Sequence, residues 1–252
     1  MSRPSDLLAN SSVASPVLYR EVKRKLIGDI ASGAVPPGAA LPNESVLARR
    51  FGVSIGTLRR AVDELVADHV LVRQQGRGTF VGKLDRERFL FQFFKLADRS
   101  GVREFPRVRL HAFSRGKATT EESQALGLMG PAQVFRIENV LSLKGRPTIH
   151  DHIVIDAQLF SGLTRAQFES RPGTIYELYQ AAFGVTVAGA DERLRAQPVA
   201  AETAALLNIE PGASVLRIER VAHTIEQRPC EFRISVVDTR EVDYVSRMNR
   251  SE

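Results

Sequence analysis

Residues 41–83 have the sequence LPNESVLARRFGVSIGTLRRAVDELVADHVLVRQQGRGTFVGK, and this stretch decides the fold of the first third of the chain. Asn43 and Ser54 are residue types that cap helix starts, and Gly52 between them is suited to end a helix. These residues predict two short helices on either side of Gly52. A short hairpin follows them, with Arg77 at its tip between Gly76 and Gly78. The order of elements is that of a helix-turn-helix with a β-hairpin wing.

The second of these helices has a core-facing stripe with the spacing i, i+3, i+4 and i+7, formed by Leu58, Ala61, Val62 and Leu65. At about 100° per residue, Gly56, Arg60 and Asp63 point away from that stripe, and Thr57 and Arg59 flank them. A recognition helix needs small and basic groups there, because its first turns enter the major groove of DNA. The glycines of the hairpin let the backbone approach a phosphate or the minor groove, where Arg77 can follow.

The distribution of charge along the chain agrees with a DNA-binding module in the first 83 residues. Net charge is +6; residues 1–83 hold 12 Lys/Arg against 7 Asp/Glu, whereas the remainder holds 23 against 22. A polyanion-binding surface requires such a local excess. No apolar run approaches the ~20 residues of a membrane helix, and the N-terminus lacks the apolar core of a signal peptide. Cys230 is the single cysteine, which excludes an intrachain disulfide, so we expect a cytoplasmic protein of bacterial type.

The rest of the chain predicts a tail, a connector and a second domain. Residues 1–15 have the composition of a flexible tail, 16–82 form the DNA-binding domain, 83–88 are a charged linker, and 89–248 form a second domain. In the first helix-turn-helix element Val46, Leu47 and Phe51 are expected to face the core. An aromatic-rich helix is predicted from the linker as far as Gly101. Strand patterns dominate afterwards, so the second domain is predicted to be α+β with a largely antiparallel sheet.

An internal repeat supports this prediction. Residues 134–155 (VFRIENVLSLKGRPTIHDHIVI) and 215–237 (VLRIERVAHTIEQRPCEFRISVV) share V-x-R-I-E-x-V and a later R-P. Each copy predicts a hairpin with a turn at Lys144-Gly145 or Glu226-Gln227, and each follows a short helical segment. Two copies of a helix-plus-hairpin unit predict a pseudo-symmetric sheet with a cavity between its halves.

Residues 17–82 resemble the DNA-binding domain of GntR-type bacterial transcription regulators, because the PPG…LP…LA..FGVS..T.R.A…L pattern and the QGRGTFV wing occur together. The resemblance implies phosphate and base contacts from Ser54, Thr57, Arg59 and the wing. The family often has arginines where this chain has Ser45 and Ile55, so we expect a different operator half-site and compensation by two other arginines. The expected DNA-binding set is Arg49, Ser54, Gly56, Thr57, Arg59, Arg60, Gln75, Gly76, Arg77 and Gly78.

Residues 88–248 resemble the UTRA domain, the effector-binding part of the HutC branch of that family, whose fold is similar to chorismate lyase. The resemblance implies a small metabolite between sheet and helices, so we expect residues 89–248 to form an effector-binding and dimerisation domain. Sugar-phosphate-binding relatives have an Arg-x-Arg pair where this chain has Asn139-Val140-Leu141. We therefore expect a carboxylate held bidentately by Arg233 instead of a phosphate. The expected effector-binding set is Asn139, Asp151, Glu231, Arg233 and Ser235.

Three functions follow from these features. The favoured one is a metabolite-responsive regulator, most simply a repressor, that binds palindromic operator DNA as a homodimer without a cofactor. The alternatives are a chorismate-lyase-like enzyme with a DNA-binding appendage and an architectural DNA-binding protein that ignores metabolites. The chain has no G-x-S-x-G, H-E-x-x-H or phosphate-loop motif. His150 and His152 could share a metal, but no third ligand has a suitable spacing, so neither a catalytic nor a metal site is predicted.

Overall fold

The computed structural model describes residues 16–246, which divide into two compact units between Gly82 and Lys83. The predicted tail, residues 1–15, and the last two residues of the predicted second domain, 247–248, lie outside the described residues. The first unit contains three helices and a hairpin: α1 (Pro16–Ala31), α2 (Glu44–Phe51), α3 (Ile55–Ala67), β1 (Leu71–Gln74) and β2 (Gly78–Val81).

Capping residues define the helix-turn-helix as predicted. The Asn43 side chain accepts a hydrogen bond from the backbone of Ser45, and Gly52 ends α2 in the left-handed conformation at φ 66°. Ser54 caps α3 by accepting from the Thr57 backbone. The chain after α1 then extends along the wing, because the Gly38 backbone donates to Val81 at 2.8 Å and adds a third segment to the hairpin.

The first unit buries the predicted stripe of α3 against α1, where Val22 and Leu26 are 2 % and 1 % exposed. The prediction for α2 was wrong at Val46, which is 51 % exposed, whereas Leu47 is 2 % exposed and Ala48 is also buried. An eight-residue helix has only a narrow buried side, and the side that meets α3 is centred on Leu47 and Ala48. Val46 is therefore at the surface.

The second unit is α+β, as predicted. Its elements are α4 (Arg86–Gln92), β3 (Leu96–Asp98), β4 (Arg107–Lys117), α5 (Thr120–Leu126), β5 (Gln133–Leu143), β6 (Arg146–Asp156), α6 (Arg165–Glu169), α7 (Ile175–Phe183), β7 (Val187–Pro198), α8 (Ala201–Leu207), β8 (Ser214–Thr224), β9 (Pro229–Val237) and β10 (Val242–Tyr244).

The aromatic-rich segment is shorter as a helix than predicted. Helix α4 ends at Gln92 and is followed by β3, which pairs antiparallel with β10 near the end of the chain. Phe93 and Phe94 are both buried on leaving the helix, and this contact with the core overrides the local helical preference. Within the predicted linker 83–88, Leu84 is 1 % exposed, and Asp85 caps α4 by accepting from the Arg88 backbone.

The six-stranded antiparallel sheet has the order β4-β5-β6-β9-β8-β7, so the two halves of the repeat are related across the β6–β9 pair. The β5–β6 and β8–β9 hairpins are those predicted. Lys144 and Gly145 have φ angles of 47° and 76°, which a two-residue turn between twisted strands requires. The two predicted helices of the repeat, α5 and α8, pack on one face of the sheet against β9 and β6. We call this the outer face.

The opposite, inner face of the sheet carries the main core. Ile137, Ile149, Ile153 and Ile155 belong to this core together with aromatic side chains of α4 and α7. Because side chains alternate along a strand, the odd-numbered residues of β5, β6 and β9 share the inner face with them. All five predicted effector-binding residues have odd numbers, so the sheet places them on this face.

Candidate functional site

The start of α3 in the first unit is the predicted DNA-contacting surface. Ser54 is exposed and its Oγ lies 2.9 Å from the Oγ1 of Thr57, whose side chain is only 3 % exposed. Thr57 thus has a structural role in the helix cap. Gly56 is exposed beside them. The start of the helix therefore exposes the small residues Ser54 and Gly56 to solvent and buries Thr57.

The arginines one turn further along α3 have protein partners. Arg59 donates from Nε to a Glu44 carboxylate oxygen at 2.7 Å, and its side chain remains 62 % exposed. The guanidinium of Arg60 lies 4.2 Å from the centre of the Tyr19 ring on α1. The structure thus directs Arg60 towards α1 rather than straight outward, while Arg59 stays at the surface in an exchangeable ion pair.

The wing presents the rest of the predicted set. Gly76 and Gly78 have φ angles of 70° and 116°, which an L side chain adopts only with strain. They place Arg77 at the exposed tip, where its guanidinium lies 5.8 Å from the Phe80 ring. The remaining predicted side chains, Arg49 and Gln75, are exposed as well.

On the inner face of the second unit, Arg233 is held by two carboxylates. Its Nε and one terminal nitrogen donate to the two oxygens of Glu231, each at 2.9 Å, and the other terminal nitrogen donates to Asp151 at 3.1 Å. Ser235 also donates to Asp151, at 2.6 Å. Four of the five predicted residues therefore form one network.

Two tyrosines of α7 complete this network. The hydroxyls of Tyr176 and Tyr179 donate to Glu231 at 3.0 and 2.9 Å, and all three side chains are fully buried. Burial raises the pKa of both tyrosines well above the ordinary value, and the Glu231 charge raises it further. Both hydroxyls therefore stay protonated as donors. Because all three guanidinium nitrogens of Arg233 already donate to Glu231 or Asp151, Arg233 has no free pair of donors for the expected bidentate contact with a ligand carboxylate.

A cavity of about 40 Å³ lies beside this network. Asn139 borders it and is 3 % exposed, yet its Oδ1 has no hydrogen-bond partner among the described residues. Arg171 borders the same cavity, and its Nε is likewise buried without a partner in the described part of the chain. Buried polar atoms are almost always hydrogen-bonded, to protein, water or ligand, so one free acceptor and one free donor at a single cavity make it a candidate ligand site.

Arg171 was not predicted from the sequence. It lies just before α7, its Nη1 donates to the Phe168 carbonyl, and its guanidinium lies 4.1 Å from the Phe168 ring. Burial lowers the pKa of Arg171 from its ordinary value. The signal available in the sequence was Arg171-Pro172-Gly173 ahead of a capping threonine. A Cβ on Gly173 would lie 1.7 Å from the Glu177 carboxylate that completes that cap.

A larger cavity of about 380 Å³ lies beside the turn between β5 and β6. Its most prominent charges, Asp98 and Lys144, pair with each other at 2.5 Å. Its volume is well above that of the cavity beside Asn139. The smaller cavity is the better candidate, because two buried polar atoms that lack partners within residues 16–246 lie at it.

Comparison with known proteins identifies both units. The UTRA domain family matches residues 103–243, and the family described as bacterial regulatory proteins, gntR family, matches residues 18–81. The chain belongs to the GntR family. The UTRA domain places this GntR-family regulator in the HutC branch, whose second domain binds effectors.

Relatives of this GntR-family chain extend over nearly its whole length. The histidine utilization repressor of Pseudomonas putida is 30 % identical over 217 residues, covering 86 % of each chain. The HTH-type transcriptional repressor NagR of Bacillus subtilis is 28 % identical and covers 96 % of this chain and 99 % of its own. The family membership and these repressors make the chain a transcriptional regulator rather than an enzyme.

A solved structure matches the second unit. The ligand-binding domain of a GntR-family transcriptional regulator from Bordetella bronchiseptica superposes with a TM-score of 0.59 at 31 % identity, covering 62 % of this chain and 96 % of that one. In residues 16–246 of the regulator no helix is long and apolar enough to cross a membrane. The same residues contain no group of three or more His, Cys, Asp or Glu side chains that could hold a metal ion.

The outer face of this GntR-family sheet contains a pH-sensitive histidine. His150 Nε2 lies 3.4 Å from Glu138, and Nδ1 lies 3.5 Å from the Thr203 hydroxyl of α8. Burial lowers the pKa of His150 below its ordinary value of 6.5, and attraction to Glu138 does not compensate. Below about pH 6.5 the unfolded chain therefore binds a proton that the folded chain does not, so stability falls as the pH falls towards the folded pKa.

We expect His150→Gln to reduce this acid-dependent loss. The melting temperature of wild type and variant at pH 7.5 and pH 5.5 measures it, and the decrease between the two pH values should be smaller in the variant. His152→Gln is the control, because that side chain is 32 % exposed against 14 % for His150. An equal decrease in wild type and His150→Gln would show that His150 does not carry the effect.

Proposed function

We propose that this GntR-family regulator is a homodimeric repressor whose affinity for palindromic operator DNA changes when a small carboxylate-bearing metabolite binds the second domain. It acts on bacterial DNA in the cytoplasm. The observation that supports the effector site is a pair of buried atoms at one cavity, Arg171 Nε and Asn139 Oδ1, which have no partner in the described part of the chain. The proposed domains are residues 16–82 and 89–248, with 83–88 between them.

The chemistry of the cavity favours a ligand with both an anion and a hydrogen-bond donor. Arg171 offers a cationic donor for a carboxylate. Asn139 and Asp151 offer acceptors for an amine or hydroxyl group. Arg233 holds Asp151 in place, and Ser235 donates to the same carboxylate. A relative named for histidine utilization agrees with this class, because histidine carries a carboxylate, an amine and an imidazole N–H.

Ligand binding at this cavity requires a rearrangement. A volume of about 40 Å³ is close to that of one water, whereas small-molecule sites usually have about 300 Å³ or more. The ligand must therefore bind an arrangement in which the cavity lining has moved. A ligand that prefers this arrangement shifts the population towards it, which is the only way in which binding can produce a conformational response.

A contiguous set of contacts leads from the cavity to the start of the second unit. Arg233 holds Glu231, and Glu231 accepts from Tyr176. The Tyr176 ring packs edge-on against Phe93 and Phe89, with ring centres 4.9 and 5.6 Å apart. Phe89 lies on α4, whose first three residues, 86–88, are also the last three of the proposed linker. We propose that displacement of this aromatic cluster alters the linker and thereby the spacing of the two DNA-binding domains of a dimer.

The proposed DNA contacts are those predicted from the sequence, with Arg59 and the wing Arg77 as the principal ones. Two recognition helices of a homodimer would occupy half-sites about one helical turn, roughly 34 Å, apart. Sedimentation equilibrium at operator-binding concentrations tests the dimer. A monomer, or a selected operator without dyad symmetry, would contradict this part of the proposal.

Arg171→Met tests the effector site. An operator is first obtained by selection from random duplexes, and its affinity is then measured with L-amino acids, hydroxy acids and sugar phosphates as probes. For wild type we expect at least one carboxylate to change the affinity at least about tenfold, within the usual range of allosteric coupling. Arg171→Met should bind the operator as wild type does without any probe and should lose the response.

Arg165→Met is the matched control, because it removes an exposed arginine from the same unit. It should retain the response. If Arg171→Met responds to the carboxylate as wild type does, Arg171 does not bind the effector. If only sugar phosphates act on wild type, the carboxylate class is wrong, although the regulatory role is retained.

A further inference from the structure

The first turn of α3 offers one side chain to DNA, and that side chain is apolar. Ile55 is the first residue of the helix and is 44 % exposed. Gly56 follows it and has no side chain. Thr57 is 3 % exposed and is engaged with Ser54. Within the first turn of the helix, isoleucine is therefore the one side chain presented to solvent.

Ile55 differs from other exposed apolar residues because it lies at the start of the recognition helix. Single apolar side chains at a protein surface are common, and Leu18 on α1 is equally exposed at 44 %. Ile55, however, lies four residues before Arg59, so the two side chains share one face of α3 a turn apart. Both residues lie in the first two turns of α3, and the N-terminal residues of a recognition helix are those that contact base edges.

Gly56 provides room for a close approach. A Cβ on Gly56 would meet only the Ser54 Oγ, at 3.8 Å, which is ordinary van der Waals contact. Packing within the protein therefore does not require glycine here. Its absent side chain, next to the small Ser54, leaves the helix end narrow enough for Ile55 to reach a base edge.

We propose that Ile55 reads a thymine in the operator half-site through its 5-methyl group. Of the base-edge groups that distinguish the four base pairs in the major groove, the thymine methyl is the apolar one; the others are hydrogen-bond donors and acceptors. Isoleucine has no donor or acceptor and would leave those groups without partners. This inference rests on the DNA-binding role of α3 and adds a specificity that the family resemblance does not supply.

The test removes the methyl group from the DNA. Wild type first selects an operator from random duplexes, and each thymine of one half-site is then replaced singly by deoxyuridine, which differs only in that methyl. At one position we expect about fourfold weaker binding, which corresponds to the free energy gained by burying one methyl group. Ile55→Ala should bind the thymine and deoxyuridine duplexes with equal affinity at that position. Leu18→Ala should keep the wild-type ratio.

Ile55→Arg provides the reciprocal result. Arginine pairs bidentately with guanine, so a new selection with this variant should replace the thymine by guanine at the same position. The proposal is overturned if no single deoxyuridine weakens wild type, or if the ratio is the same in Ile55→Ala. A wild-type protein that enriches no sequence at all would contradict operator binding itself, which distinguishes the two failures.

Discussion

Glu231→Gln is expected to lower the free energy of unfolding of the second unit by about 3–5 kcal/mol, the usual effect of breaking a buried ion pair from one side. Glu231 is 0 % exposed and accepts four hydrogen bonds, two from Arg233 and two from the α7 tyrosines. The glutamine keeps the shape but removes the charge, so the Arg233 guanidinium retains only Asp151 as a counter-charge.

Urea-induced unfolding followed by tyrosine fluorescence measures this change. The chain has no tryptophan and 4 tyrosines, of which Tyr19 alone lies in the first unit, so the signal reports mainly on the second. Glu169→Gln removes the same charge from an exposed i,i+4 pair with Arg165 and should cost about 0.5 kcal/mol or less. Equal effects of the two substitutions would show that the buried network does not contribute to stability as its geometry implies.

Arg59→Ala is expected to weaken binding to a selected operator by about 10- to 100-fold, corresponding to the loss of one good arginine contact to DNA. In the free protein Arg59 is paired with Glu44 at 2.7 Å but is mostly exposed, so this pair costs little to exchange for DNA. Fluorescence anisotropy with a labelled duplex measures the affinity over a range of salt concentrations.

Arg165→Ala is a matched control for Arg59→Ala, because it makes the same change of charge at an exposed, ion-paired arginine of the second unit. It should leave operator affinity nearly unchanged. The salt dependence distinguishes two roles for Arg59. Loss of a phosphate contact should reduce the salt slope by about 1, whereas loss of a base contact should relax sequence preference instead. An unchanged affinity would remove Arg59 from the DNA-binding surface.

Elements set by local interactions could be predicted from the sequence. Asn43, Gly52 and Ser54 act on the backbone within a few residues of themselves, so their capping roles appear in the sequence and in the structure alike. The same holds for the Lys144-Gly145 turn. Helix α4 was predicted too long, because the burial of Phe93 in the core of the second unit decides its end.

The candidate effector site could be predicted from the sequence only in part. Strand alternation is enough to place Asn139, Asp151 and Arg233 on one face of the sheet. It does not reveal that two tyrosines of α7 donate to Glu231 and fix it as a partner of the Arg233 guanidinium, since the tyrosine contacts join segments more than 50 residues apart. For the same reason Arg171, which comes from the loop before α7, could not be recognised as a neighbour of Asn139.

The sequence by itself determined that this chain combines a winged helix-turn-helix with a repeated helix-plus-hairpin domain, because caps, turns and periodicity act over short distances. It also determined that an isoleucine takes the first position of the recognition helix. Only the tertiary structure decided which polar groups are free. Asp151, 82 positions away in the sequence, and Glu231, which the two α7 tyrosines also contact, satisfy Arg233, whereas Arg171 Nε and Asn139 Oδ1 lack partners among the described residues. A ligand can bind only to groups that the fold has not already paired.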